Sequence, residues 1–88
     1  MQTAKVKIVN RLGLHARAAA TFVARASEYA SDVRLRRGGR KVNGKSIMGV
    51  MMLAAACGME IEIFVEGEDE ELAIKDLSEL VASGFGEI

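Results

Sequence analysis

Asp32-Val33-Arg34-Leu35-Arg36-Arg37-Gly38-Gly39-Arg40-Lys41-Val42-Asn43 is the stretch on which the fold turns. Val33 and Leu35 alternate with Arg34 and Arg36, so a strand here buries one face and wets the other. Gly38-Gly39 is a two-residue link. Such hairpin turns need positive φ, which glycine adopts freely. Lys41-Val42-Asn43 is then a short return strand. One antiparallel hairpin therefore sits in the middle of the chain, and the other elements are placed around it.

On the N-terminal side, Ala4-Lys5-Val6-Lys7-Ile8-Val9 has the same period of two and reads as a first strand. Asn10-Arg11-Leu12-Gly13-Leu14-His15 is loop-like. From Ala16 the period changes, and Ala19, Phe22, Val23, Ala26 and Ala30 form a helical stripe. The alanine content of this segment favours helix intrinsically. On the C-terminal side, Ser46 can cap a short helix over residues 47 to 53, with Gly58 as the breaker after Ala54-Ala55-Ala56-Cys57. Met59, Ile61, Ile63 and Val65 alternate with polar neighbours in a fourth strand. After a turn at Gly67, Glu68-Asp69-Glu70-Glu71 puts negative charge on a helix N-terminus, where the macrodipole favours it. Ala73, Ile74, Leu77, Leu80 and Val81 are the stripe of that last helix, and Gly84 is its stop.

The order is β-α-β-β-α-β-α. Every strand has a polar face, so helices cover only one side of the sheet. That is an α+β protein, a two-layer sandwich with a largely antiparallel sheet. The connections allow the spatial orders 1-4-2-3 and 4-1-3-2, and pattern alone leaves both open. The 88 residues are expected to form a single domain over residues 1 to 88. Half are hydrophobic and 27% charged, which excludes a disordered chain. One Cys and one His exclude an intrachain disulfide and a structural zinc site, and no metal or cofactor is expected. No apolar run is long enough to span a bilayer, and residues 1 to 5 lead into a strand pattern rather than a signal-peptide core. A cytoplasmic monomer without membrane insertion is the expectation.

Net charge is +0, yet the two halves differ sharply. Residues 1 to 45 hold eleven of the twelve Lys and Arg against Glu28 and Asp32, and residues 46 to 88 hold Lys75 against ten acids. Folding brings the halves together, so part of this charge should cancel by pairing, and the remainder can steer partners. The run Arg34 to Lys41 is either a solvated strand face with a hairpin tip or a nucleic-acid contact. With no Trp, one Tyr and three Phe, a stacking platform is poorly supplied, so no nucleic-acid partner is expected.

His15, the sole histidine, stands where the first loop meets the first helix. It could be a plain surface or capping residue. Its surroundings favour chemistry instead. The N–H groups of Ala16, Arg17 and Ala18 fall among the unpaired donors of a helix start, which is an anion site. Arg17 adds a guanidinium suited to phosphate. A neutral imidazole there is a nucleophile facing an anion site, able to take up and release a phosphoryl group. Ser46 is either an ordinary cap or a regulatory phosphorylation site, where a phosphate would repel an acidic partner rather than unfold the chain. Ile47, Met48, Met51 and Met52 after it are either core or an adaptable docking patch. Cys57 reads as a structural thiol.

Gly13-Leu14-His15-Ala16-Arg17, followed by an alanine-rich helix with Phe22-Val23, resembles the active-site segment of the HPr family, the histidine-containing phosphocarriers of the bacterial phosphoenolpyruvate-dependent phosphotransferase system. Asn43-Gly44-Lys45-Ser46-Ile47-Met48-Gly49-Val50-Met51 resembles that family's second signature, around its regulatory serine. The resemblance spans essentially the whole chain. It implies an open-faced β-sandwich with three helices on one face of a sheet ordered 1-4-2-3. It implies that His15 accepts a phosphoryl group on Nδ1 from enzyme I and passes it to enzyme IIA proteins for sugar uptake, with Arg17 holding the phosphoryl oxygens. Such a protein is a stoichiometric carrier rather than an enzyme. HPr kinase/phosphorylase would act on Ser46 in hosts that have it. A mainly regulatory member of the family, in a nitrogen-type or incomplete chain, is the alternative. The family usually follows its arginine with proline. Ala18 stands there instead and adds a donor near the anion site.

Overall fold

The structure is a computed structural model that describes residues 1–87. It contains β1 (Gln2–Lys7), α1 (Ala16–Ala26), β2 (Asp32–Arg37), β3 (Arg40–Asn43), α2 (Ile47–Met52), β4 (Glu60–Glu66) and α3 (Glu70–Ala82), followed by one 3₁₀ turn (Gly84–Gly86). The four strands form one antiparallel sheet in the order β1-β4-β2-β3, the first of the two arrangements the pattern allowed.

The alternation in each strand decides which way the sheet faces. Val33, Leu35, Ile61, Ile63 and Val65 are buried against the helices, with Phe22, Ala26, Leu77 and Val81 closing over them. The opposite face carries rows of polar partners: Lys5 beside Glu62, Glu62 beside Arg36, and Arg36 beside Lys41. Arg36 donates to Glu62 at 2.5 Å, and Lys41 lies 4.2 Å from the centre of the Phe64 ring. An ion-laced face of this type needs no second layer, so the sandwich stays open.

Several boundaries differ from the sequence expectation. β1 starts at Gln2 and stops at Lys7, because its last partner is Glu60; Ile8 N–H makes a further bond to Met59 O at 2.9 Å as the strands part. Ala30 is exposed and outside α1. The chain leaves the helix early because the Ala30 and Ser31 N–H groups donate to the Asp69 carboxylate, at 2.9 and 3.0 Å. α2 ends at Met52, before Leu53 and well before Gly58. Ala54 reverses the chain in the left-handed region (φ 51°), while Gly58 (φ 92°) serves the turn into β4. Met59 is exposed rather than part of the buried row, and Cys57 is an exposed free thiol. α3 starts at Glu70 with acids in its first turn and is followed by Gly84 at φ 74°, as its pattern predicted.

Candidate functional site

The site begins with a loop that has little freedom. Gly13 (φ 66°) lies so close to the segment after α2 that a Cβ would stand 2.5 Å from Ala55 O. Leu14 N–H donates to that same carbonyl at 2.9 Å. Leu14 is buried, and the next residue, His15, is the N-cap of α1 in extended conformation (φ −75°, ψ 179°). The first backbone bond of the helix runs from Ala19 N–H to His15 O, at 2.9 Å. The N–H groups of Ala16, Arg17 and Ala18 are thus the orphan donors of the helix start, as expected. Ala18 is fully buried and does not line the cleft, so alanine in the position usual for proline packs into the core and its N–H is not the accessible donor that the sequence suggested.

The His15 imidazole is pinned from one side. Its Nε2–H donates to the Glu87 carboxylate, 2.8 Å from Oε2 and 3.0 Å from Oε1. Asn10, buried at 2% exposure, donates through Nδ2 to Gly13 O at 2.8 Å and to Glu87 Oε1 at 3.0 Å. The His15 hydrogen bond holds the Glu87 carboxyl below the usual carboxylate range, burial opposes that shift, and the bond from Asn10 reinforces it. An ionised carboxylate only accepts, so in the neutral ring the proton belongs on Nε2 and the lone pair on Nδ1. Among the described residues Nδ1 has no hydrogen-bond partner. His15, Arg17 and Glu87 share an open cleft of about 1150 Å³, with Asn10, Leu12 and Phe85 in its walls. The imidazole, a guanidinium and the backbone of the helix start thus border one open cleft.

Glu87 was not legible as a site residue. It reaches His15 because Gly84, Phe85 and Gly86 all take positive φ (74°, 58° and 73°) and turn the tail back over the loop. Left-handed Phe85 is disfavoured by about 1–2 kcal/mol. Burying its ring, 7% exposed, offsets that. The glycines flanking an aromatic residue just after α3 were the available signal of a returning tail.

Ser46 is the N-cap of α2, its Oγ accepting from Gly49 N–H at 3.1 Å. The methionine question resolves toward the surface: Met48 is 73% exposed, Met52 57% and Met51 41%, with Ile47 beside them at 44%. Only Val50 of α2 is buried. The basic hairpin is not a free cationic strip. Arg34 pairs with Asp32 at 2.9 Å and Arg36 with Glu62, while Arg37 and Arg40 reach carbonyls at the end of α2. No helix of the described residues is long and apolar enough to cross a membrane.

Fold and site together define a small open-faced sandwich carrying one histidine at an anion-ready helix start. Residues 2–83 match the family model described as PTS HPr component phosphorylation site. The chain is 49% identical over 82 residues to phosphocarrier protein HPr of Neisseria meningitidis, covering 93% of this chain and 92% of that one. It is also 47% identical over 77 residues to the HPr-like protein Crh of Bacillus subtilis, covering 88% and 91%. Among solved structures, HPr-C-His from Thermoanaerobacter tengcongensis superposes with a TM-score of 0.95 at 45% identity, covering 100% of this chain and 99% of that one. The chain belongs to the HPr family of phosphocarrier proteins.

Proposed function

We propose that His15 is the phosphoryl-carrying residue of this phosphocarrier and that it works through Nδ1. The observation that carries this reading is the grip of Glu87 on Nε2, which directs the lone pair of the neutral ring to the other nitrogen. That lone pair attacks the phosphorus of a phosphohistidine on enzyme I, itself charged from phosphoenolpyruvate. A new N–P bond forms at Nδ1 as the donor's N–P bond breaks, and the donor imidazole leaves with its electron pair. The positive charge that grows on the His15 ring lies beside the Glu87 carboxylate. Arg17 and the free N–H groups of Ala16 and Arg17 take the phosphoryl oxygens. Reversal toward a histidine of an enzyme IIA protein completes the carrier cycle, with no metal or cofactor in any step.

Ile47, Met48, Met51 and Met52 are the docking patch for these partners, as their exposure supports. Ser46 is the regulatory site: a phosphate there would sit at the edge of the patch and oppose an acidic partner surface, under a kinase of the HPr kinase/phosphorylase type. A second, mainly regulatory reading is favoured by one observation, the 47% identity to Crh.

The direct test is to charge the protein with phosphoenolpyruvate and enzyme I. One acid-labile, base-stable phosphoryl per chain is expected, absent in His15→Ala. Acid-stable label, or label persisting in His15→Ala, would overturn the assignment.

A further inference from the structure

Arg37 and Arg40 stand opposite each other across the β2–β3 hairpin, flanking its Gly38-Gly39 tip. Like charges directly opposite in a sheet are destabilising, so this pairing breaks a local rule and needs a compensating gain. The gain is at α2. Arg37 Nε donates to Leu53 O at 2.7 Å, and Arg40 Nη1 donates to Met52 O at 2.8 Å. Both guanidiniums therefore serve the orphan carbonyls where this helix ends.

α2 needs such help. It has six residues, far below the length at which a helix holds itself in water. Its N-terminus is secured by the Ser46 cap, but only Val50 within it is buried, with Leu53 just beyond. Met48, Met51 and Met52 face solvent and contribute little to holding it. The left-handed Ala54 follows at once, so the chain has no further helical turn to absorb fraying. The segment then meets the His15 loop, where Ala55 O accepts from Leu14 N–H.

We infer that Arg37 and Arg40 are positioning residues for partner docking: a two-pronged clamp on the C-terminal end of α2 that keeps the methionine surface in one shape. The inference rests on the reading of that surface as the docking patch. It gives the Arg-Gly-Gly-Arg sequence a role inside the molecule, directed at a neighbouring helix rather than at nucleic acid.

The test compares Arg37→Gln/Arg40→Gln with the parent protein and with Met48→Asp. Hydrogen exchange at the Val50, Leu53 and Ala54 amides reads the clamp. Steady-state phosphorylation by enzyme I, with this protein as varied substrate, reads docking. In the double Gln variant those amides should exchange roughly five-fold or more faster and KM should rise by a similar factor, the scale of a lost net hydrogen bond. The maximal rate should hold, because His15 and its partners are untouched. Arg37→Lys/Arg40→Lys should recover part of both effects. Unchanged exchange with a raised KM would mean that the arginines touch the partner themselves, and the clamp would be wrong. Faster exchange with unchanged KM would overturn the link to docking. Met48→Asp separates the premise: if it leaves KM alone, the docking surface itself is misplaced, whatever the arginines do.

Discussion

Replacing Glu87 with glutamine alters the hand that holds His15 while keeping its size. In the parent protein the carboxylate accepts from Nε2–H over 2.8 and 3.0 Å, which puts the lone pair of the neutral ring on Nδ1. A glutamine amide can instead donate to Nε2, which moves the ring proton to Nδ1 and removes the nucleophile. Even when it accepts, it does so as a neutral group, and a charge-assisted bond is roughly twice as strong as a neutral one. The ring gains positive charge during transfer, so this difference falls on the transition state. A loss of roughly ten-fold in the single-turnover rate of phosphorylation by enzyme I is expected. Rapid-quench kinetics measure the rate, and nitrogen NMR of the imidazole reads the tautomer. The parent should show Nε2 protonated, and the variant a mixture. The pH dependence has a definite sign. Hydrogen bonding from His15 depresses the Glu87 carboxyl in the folded state against its value in the unfolded chain. Its contribution is therefore complete above the unfolded value and lost as pH falls through the folded one. The parent should show an acid limb in transfer rate and stability below the usual carboxylate range, and Glu87→Gln should lack the part due to this group. An unchanged rate with an unchanged tautomer would refute this account of the site.

Arg17→Ala should slow phosphoryl transfer while leaving Tm nearly unchanged, since an exposed arginine at a helix start contributes little to folding; calorimetry and transfer kinetics on one preparation check both. Gly13→Ala should destabilise the fold by about 2 kcal/mol or more in urea unfolding, because its Cβ must enter the left-handed region and meets Ala55 O at 2.5 Å. Ser46→Asp should keep the circular dichroism spectrum, since aspartate caps helices as well as serine does. It should slow phosphorylation by enzyme I more at low salt than at high salt, and an equal rate would leave Ser46 as a plain cap.

Local chemistry decided what could be read from the sequence. The Gly38-Gly39 hairpin, the Ser46 cap and the acidic start of α3 are short-range devices, and each appears where its residues placed it. Strand order was beyond pattern, because β1 and β2 meet β4 on opposite edges and alternation is the same for either arrangement. The end of α2 was misplaced because alanine, not glycine, takes the left-handed turn there, and no propensity marks Ala54 for it. The arginines were visible as charge, but not their aim at two carbonyls across the fold.

The contrast between the two halves of the chain carried more information about the site than its reading as a surface dipole allowed. Among the described residues three ion pairs join the basic half to the acidic half, Met1 N-terminus to Glu70 at 3.0 Å, Arg25 to Asp76 at 2.6 Å and Arg36 to Glu62 at 2.5 Å, and a fourth contact, the hydrogen bond from His15 to Glu87 at 2.8 Å, does the same. The three ion pairs are ordinary closures, tying the start of the chain to α3, α1 to α3, and β2 to β4. The fourth follows the same rule with a different consequence, because its basic member is an imidazole with two nitrogens. A lysine or arginine paired with Glu87 would add only a surface contact. A neutral histidine held through Nε2 has its second nitrogen defined by the first, so the same contact that closes the fold also leaves the lone pair on Nδ1, the nitrogen we propose to react.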